Sequence, residues 1–252
     1  MRLDLYLVLK GYFKTRSRAQ QEIKENHVLV NGKTQKSSFD VEDDANIEII
    51  NPIPYVSRGG LKLEKAIKVF NLDFSDKIVL DIGASTGGFT DCALKFGAKK
   101  VYAVDVGSNQ LDPILRKNPK VISMENTNIL DTNISDNIDY LVMDVSFVSI
   151  EHLIPSIKKY LNDSNKLVCL IKPQFEAGTM FKKGVIKDKK IHFEILNKVK
   201  SYLESNDLYI NQLDFSPIKG GSGNIEFISI IETKKKGNIN ILSVVDNAHK
   251  KE

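Results

Sequence analysis

The stretch DIGASTGGFTD, Asp81 to Asp91, follows the apolar run KIVL and passes straight into a helical pattern, GGFTDCALKFG. A strand that ends in a glycine loop and opens a helix is where α/β proteins hold a nucleotide cofactor, because glycines let the backbone approach a ligand that a Cβ would keep away. A dinucleotide site asks for G-x-G-x-x-G, with pyrophosphate at the helix N-terminus. Here the spacing is D-x-G-x-x-x-G, with Asp81 placed just before the first glycine. An acid at that point suits a ligand without phosphate, such as the amino-acid end of S-adenosylmethionine. A nicotinamide cofactor and purely structural glycines remain the two other readings. On the S-adenosylmethionine reading, Asp81, Gly83, Ser85, Gly87, Gly88 and Phe89 line the cofactor, and Asp105, at the end of the next strand, holds ribose hydroxyls.

Working outward, seven strand candidates can be read: KIVLDIG, KKVYAVDV, KVISM, DYLVMDV, KLVCLIK, LYINQLDF and EFISII. Helical patterns such as HFEILNKVKSYLES separate most of them. That alternation predicts an α/β fold, a Rossmann-like, mostly parallel sheet of seven strands with helices on both faces. Only SPIKGGSGN lies between the last two strands, too short for a helical crossover, so that pair is expected to be antiparallel. The methyltransferase-like unit is expected over 56–233, with a polar tail at 234–252 that holds one short amphipathic stretch.

The first fifty residues read differently. Leu3, Leu5, Tyr6, Leu9 and Tyr12 recur at helical spacing, and a second helix starts near Ser17, taken as its N-cap. HVLVNGKTQ is an alternating strand followed by Asn31-Gly32, the dipeptide of tight hairpins. NIEII closes a small α+β unit over 1–50, and the two prolines of NPIPYV mark 51–55 as a stiff connector. From Arg2 to Lys36 this unit carries eight Lys/Arg against three acids, an excess larger than the +4 of the whole chain. A phosphate backbone is the expected partner, with Arg2, Lys14, Arg16, Arg18, Lys33 and, past the connector, Arg58 as the contacts.

Composition excludes several classes. No stretch approaches the roughly 18–20 apolar residues of a membrane span. Asp4 and scattered lysines break any signal-peptide core, so a cytoplasmic location without membrane contact is expected. Cys92 and Cys169 cannot build a disulfide framework, the four histidines are isolated, and no metal is expected.

Strand C-termini build the sites of open α/β sheets, and two of them stand out. DVSFVS follows the fourth strand and IKPQFE the fifth. The first has an acid and an aromatic, Asp144 and Phe147, but lacks the prolines common in enzymes that methylate exocyclic nitrogens. Neither cysteine is placed as the nucleophile that methylation at carbon five of a pyrimidine needs. Lys172 emerges from the apolar run KLVCLI, an uncomfortable position for a purely structural lysine.

These segments together resemble the TlyA family of ribosomal RNA 2′-O-methyltransferases, whose catalytic domain is similar to the FtsJ type. YVSRGGLKLEKA, DIGASTGGFTD, VYAVDVGSNQL, DVSFVS, IKPQFE and SPIKGGSGNIEF carry the likeness in family order over nearly the whole chain. The leading segment resembles the RNA-binding module of a small-subunit ribosomal protein. The resemblance implies S-adenosylmethionine as cofactor, ribosomal RNA or ribosomal subunits as partner, cytidine ribose as target and a monomeric enzyme. It also implies a Lys-Asp-Lys-Glu tetrad on Lys62, Asp144, Lys172 and Glu226, with Asp144 also beside the cofactor. Relatives tend to have Asn-x-Arg after the third strand. This chain has Asn128-Ile129-Leu130, with Asn128 as the adenine-side contact. A ribose hydroxyl must lose its proton as it attacks, and a lysine can take that proton only when neutral. Its pKa must therefore fall from about 10.4. Burial, a second lysine and a sulfonium charge all act in that direction. Lys172 is the expected base and Lys62 the neighbouring charge. The competing functions are a silent RNA-binding protein that keeps the fold, and a membrane-active haemolysin, a label relatives have carried.

Overall fold

The computed structural model describes residues 1–180 and 184–251, and the chain divides into two compact units, Met1–Ser57 and Arg58–Glu252.

In the first unit, helices α1 (Leu3–Leu9) and α2 (Arg16–Lys24) pack on a small antiparallel sheet of β1 (Val28–Val30), β2 (Lys33–Thr34) and β3 (Ile47–Ile49), in the order β2-β1-β3. Asn31 and Gly32 both have positive φ, 50° and 73°, the geometry of a two-residue hairpin turn twisted to match its strands. Leu3, Tyr6, Leu7, Ala19, Ile23, Val28, Val30 and Val41 form the core. The cap of α2 is Thr15, not Ser17: its hydroxyl accepts from the Arg18 N–H at 3.2 Å. The expected connector 51–55 belongs to this unit. Ile53 and Tyr55 are buried, the Ile53 N–H donates to Glu22, and the Arg18 guanidinium donates to the carbonyls of Ile53 and Tyr55. Prolines stiffen the segment, but its apolar side chains fix where it lies.

The second unit begins with α3 (Gly59–Val69) and then alternates: β4 (Ile78–Ile82), α4 (Gly88–Lys95), β5 (Lys100–Val104), α5 (Pro113–Arg116), β6 (Val121–Met124), β7 (Tyr140–Met143), α6 (Ile150–Ile157), β8 (Lys166–Ile171), α7 (Pro173–Glu176), α8 (Lys189–Glu204), β9 (Tyr209–Phe215), β10 (Phe227–Glu232) and α9 (Ile241–Lys250). The seven strands lie in the order β6-β5-β4-β7-β8-β10-β9. Strands β4 to β8 are parallel, and β10 runs antiparallel to both of its neighbours. The last two strands pair as the short SPIKGGSGN connection requires.

Leu80, Leu141, Met143, Ile154, Leu167, Leu196, Leu203, Phe227 and Ile231 share one core, each such side chain contributing roughly 1.5–3 kcal/mol by leaving water. Ile241, Val245 and Ala248 of α9 join it, so the stretch expected as a polar tail ends in a packed helix. Two registers bring the strand ends together. The parallel pairs Ile82↔Met143 and Met143↔Cys169 carry the C-terminal ends of β4, β7 and β8 to one edge. The antiparallel pair Phe227↔Ile171 carries the start of β10 to that same edge.

Candidate active site

At the end of β4 the Asp81 side chain is fully buried. Its Oδ2 accepts from the Thr90 hydroxyl at 2.6 Å, while Oδ1 has no hydrogen-bond partner. Burial pushes this carboxyl up to about 7, against the Thr90 hydrogen bond and with help from the charges of Asp144 and Asp105. Gly83 is next, with φ +79°, and a Cβ there would lie 2.9 Å from Val145 Cγ1 and 3.2 Å from the Asp144 carbonyl oxygen. The glycine thus allows the loop after β4 to press against the loop after β7. Gly87, at φ +92°, precedes α4, and a Cβ on it would collide with Leu111 and Leu115. Gly88 and Phe89 are buried in the first turn of α4.

Asp105 lies beside this loop, its Oδ2 accepting from the Ser85 N–H and its Oδ1 from the Gly107 N–H, both at 2.7 Å. A carboxylate has about four acceptor positions, so it can still receive hydroxyl donors. Asn128 caps the short turn that begins with Ile129, accepting from the Leu130 N–H at 3.0 Å. Its carbonyl is therefore committed locally, and its amide is the part able to face a ligand.

The four tetrad residues come together from four elements. Lys62 on α3 lies 2.8 Å from Glu226, at the start of β10, and 3.2 Å from Asp144, after β7. Lys172, after β8, lies 2.6 Å from the other oxygen of Asp144 and donates to the Ser146 hydroxyl at 2.7 Å. Lys62, Lys172 and Glu226 are buried. With both lysines protonated, cations and carboxylates alternate and the cluster carries no net charge, which is how buried ions are tolerated. Burial opposes the charge of Lys62, but Asp144 and Glu226 outweigh it and raise its pKa, fixing it as a cation. Burial likewise opposes the Asp144 charge, and the two lysines outweigh it, holding that carboxyl below its ordinary value.

Two neighbours of the tetrad have a setting that the sequence does not show. Ser146 is the second partner of Lys172. Phe147 is 91% exposed, with φ +66°, and its ring centroid is 5.1 Å from that of Phe175, which lies 5.9 Å from the Lys172 ammonium. A bulky residue in the left-handed region is strained, and such strain gathers at functional sites. The sequence marks Phe147 only as an aromatic next to the acid. The apolar pattern around it does not tell that the ring faces water.

The expected RNA contacts divide. Lys14 and Lys33 are exposed. Arg2 and Arg16 are about half exposed and both bind the fully buried carboxylate of Asp4, at 3.0 and 2.9 Å. Arg18 departs from its expected role. It pairs with buried Glu22 at 2.6 Å and holds the 53–55 backbone, so its donors face inward. Arg58 stands immediately before α3, one turn from Lys62.

The FtsJ-like methyltransferase family model matches residues 55–232 and the S4 domain model residues 1–47. The chain belongs to the TlyA-type FtsJ-like methyltransferases. It is 47% identical to Hemolysin A of Brachyspira hyodysenteriae over 91% of this chain and 98% of that one. To the 16S/23S rRNA (cytidine-2′-O)-methyltransferase TlyA of Mycobacterium tuberculosis it is 30% identical, over 99% and 96%. A solved Streptococcus thermophilus structure that carries the hemolysin label superposes with a TM-score of 0.79 at 40% identity, covering 99% of this chain and 96% of that one. Among the described residues, no helix of this methyltransferase is long and apolar enough to cross a membrane.

Proposed function

We propose that the protein transfers the methyl group of S-adenosylmethionine to a ribose 2′-hydroxyl of ribosomal RNA, with cytidine as the target nucleoside. The observation that carries this reading is Lys172, buried at a strand end and held at 2.6 Å from Asp144. The cofactor loop fits the methyl donor. Asp81 Oδ1 is a buried acceptor with no partner, suited to an α-ammonium group. Gly83 lets the loop after β4 close against the loop that carries Asp144, and Asp105 offers acceptors to ribose hydroxyls. Bound there, S-adenosylmethionine supplies an electrophilic methyl group on sulfonium. The chain does the rest.

Asp144 orients the Lys172 amine and, paired with Lys62, keeps a fixed charge beside it. Once deprotonated, Lys172 would take the hydroxyl proton as the ribose oxygen bonds to the methyl carbon and that carbon's bond to sulfur breaks, releasing the neutral thioether. Lys62, kept cationic by Glu226, stabilises negative charge developing on that oxygen. Phe147 offers an exposed ring on which the target base can stack once it leaves its helix. Lys14, Arg16 and Lys33 of the S4 unit hold phosphates, which positions the RNA without reading its sequence. The test is to map 2′-O-methyl groups on ribosomal RNA after incubation with wild-type protein and with Lys172→Ala. Methylated cytidines that depend on the wild type support the proposal, and their absence, or methylation at base atoms, overturns it.

A further inference from the structure

A second feature lies on the far side of the tetrad from the glycine loop. Between the end of β9, the start of β10 and α9 is a pocket of about 120 Å³, lined by Phe215, Ile218, Lys219, Glu226 and Lys251 among others. That is several times what a single water needs. Glu226 belongs at once to this pocket and to the tetrad, with its Oε2 turned to Lys62. The sheet order places the cofactor loops after β4 and β5, the tetrad over β7, β8 and β10, and the pocket beyond them at the β10–β9 edge. Whatever occupies the pocket therefore approaches from the side of the methyl acceptor.

Charge decides what it takes. The Phe215 ring carries the Lys65 ammonium at 3.7 Å and the Lys251 ammonium at 5.6 Å from its centroid. A ring face so covered offers positive charge rather than a stacking surface. The lining holds Lys219 and Lys251 against one carboxylate, Glu226, which pairs with Lys62 at 2.8 Å; behind it, Lys65 on the Phe215 ring pairs with Asp214 at 3.0 Å. With Glu226 paired to Lys62, the lining's own Lys219 and Lys251 leave the pocket net cationic. Burial lowers the pKa of Lys65 against the opposing pull of Asp214, and the charge of Lys251 adds the smallest part.

We propose that this pocket binds a phosphodiester of the substrate RNA beside the ribose presented to the tetrad, with Lys219 and Lys251 as its ligands. The inference rests on the RNA reading above. The experiment compares full-length wild type, Lys251→Glu and Lys219→Glu/Lys251→Glu for methyl transfer to ribosomal RNA, RNA affinity across salt, and cofactor affinity. Lys251 is exposed, so its variant keeps the fold if the segment around Lys219 does not tolerate change. The expected result for the double variant is a KM for RNA raised about tenfold and a kcat within about twofold. Cofactor affinity should be unchanged, and the salt dependence of binding should be shallower by about 0.7–0.9 for each lost phosphate contact. Lys251→Glu should move KM the same way by less. Inorganic phosphate should compete with RNA for the wild type and lose that effect in the double variant.

An unchanged KM and salt slope in both variants overturns the inference. So does a kcat loss at constant KM, which would make the lysines supports of the tetrad. Phosphate binding that the substitutions remove while the KM for RNA stays put would reduce the pocket to a free-anion site and overturn it equally. A wild type that transfers no methyl group to ribosomal RNA would instead overturn the parent reading, and this inference with it.

Discussion

Both units bury carboxylates among cations, and they do so in opposite ways. In the S4 unit, Asp4 sits at the centre and Arg2, Arg16 and Gln20 converge on it, at 3.0, 2.9 and 2.6 Å. Both arginines reach it from half-exposed positions. In the catalytic unit, lysines and carboxylates alternate and the lysines are buried. Arginine never gives up its proton near neutral pH and forms forked bonds, which suits anchoring a helix and meeting phosphate. A buried lysine can lose its proton, which suits acid–base work. On the proposed function, similar ion pairing serves an anion-facing surface in one unit and proton transfer in the other.

The sharpest way to break that contrast is Lys172→Arg, which keeps the charge and removes the proton acceptor. Single-turnover methyl transfer should fall by roughly 10²–10⁴-fold with cofactor affinity preserved. Wild-type rates should rise with pH as one group deprotonates. Retention of more than about a tenth of the rate would make Lys172 a clamp rather than a base.

Asp4→Ala comes next. Removing the acceptor on which Arg2, Arg16 and Gln20 converge should destabilise this unit, read as lost hydrogen-exchange protection in α1 with α8 unaffected. The arginine hydrogen bonds, led by that of Arg2, hold the Asp4 carboxyl well below the usual carboxylate range, against its burial. A depressed folded pKa means stability that is present above about pH 4 and lost as pH falls below it. Acid should therefore loosen α1 in the wild type. Arg18→Glu should also melt this unit, because it sets two carboxylates together under the 53–55 backbone, so it cannot serve as a clean probe of RNA binding.

Within the tetrad, a Cβ on Gly220 would fall on Glu226 Oε1 and lie 3.0 Å from its Cδ. Gly220→Ala should push Glu226 off Lys62 and lower turnover by about 2 kcal/mol, roughly thirtyfold. Shortening the acid should relieve the collision. Gly220→Ala/Glu226→Asp should then be more active than the two separate losses combined would allow, and strict additivity would show that the glycine acts elsewhere.

The smallest effect concerns Asp81, the opposite of Asp4 in sign. Its folded pKa is raised to about 7, so ionisation opposes folding, and stability declines as pH rises from about 4 to 7. A cationic cofactor group should favour the ionised form. Cofactor affinity should therefore weaken by up to about tenfold between pH 8 and 6, with proton release near pH 6 seen by calorimetry in two buffers. A flat profile would remove Asp81 from the cofactor's ammonium.

Whatever rests on backbone chemistry and strand ends is legible in the sequence. Gly83 and Gly87 have to be glycines, the short SPIKGGSGN link has to join antiparallel strands, and Lys172 is out of place unless it has work there. Partners across space stay hidden. A basic count in the first 36 residues cannot separate Arg18, turned inward to Glu22, from Lys14, turned outward. Nor can helical spacing show that α9 has a core to bury against, or that Phe147 points into water. Each of those depends on which surface a residue meets, and one chain read along its length does not contain that information locally.

The antiparallel insertion of β10 also sets a schedule. Side chains alternate along a strand, so a slip of one residue against β8 would turn Glu226 to the other face of the sheet and leave Lys62 half-neutralised. Glu226 lies late in the chain, and synthesis proceeds from the N-terminus. The S4 unit is complete long before the residue that closes the tetrad leaves the ribosome. If the tetrad does the work proposed for it, a growing copy of this protein can fold its S4 unit while still chemically inert, and methyl transfer waits until β10 has been inserted between β8 and β9.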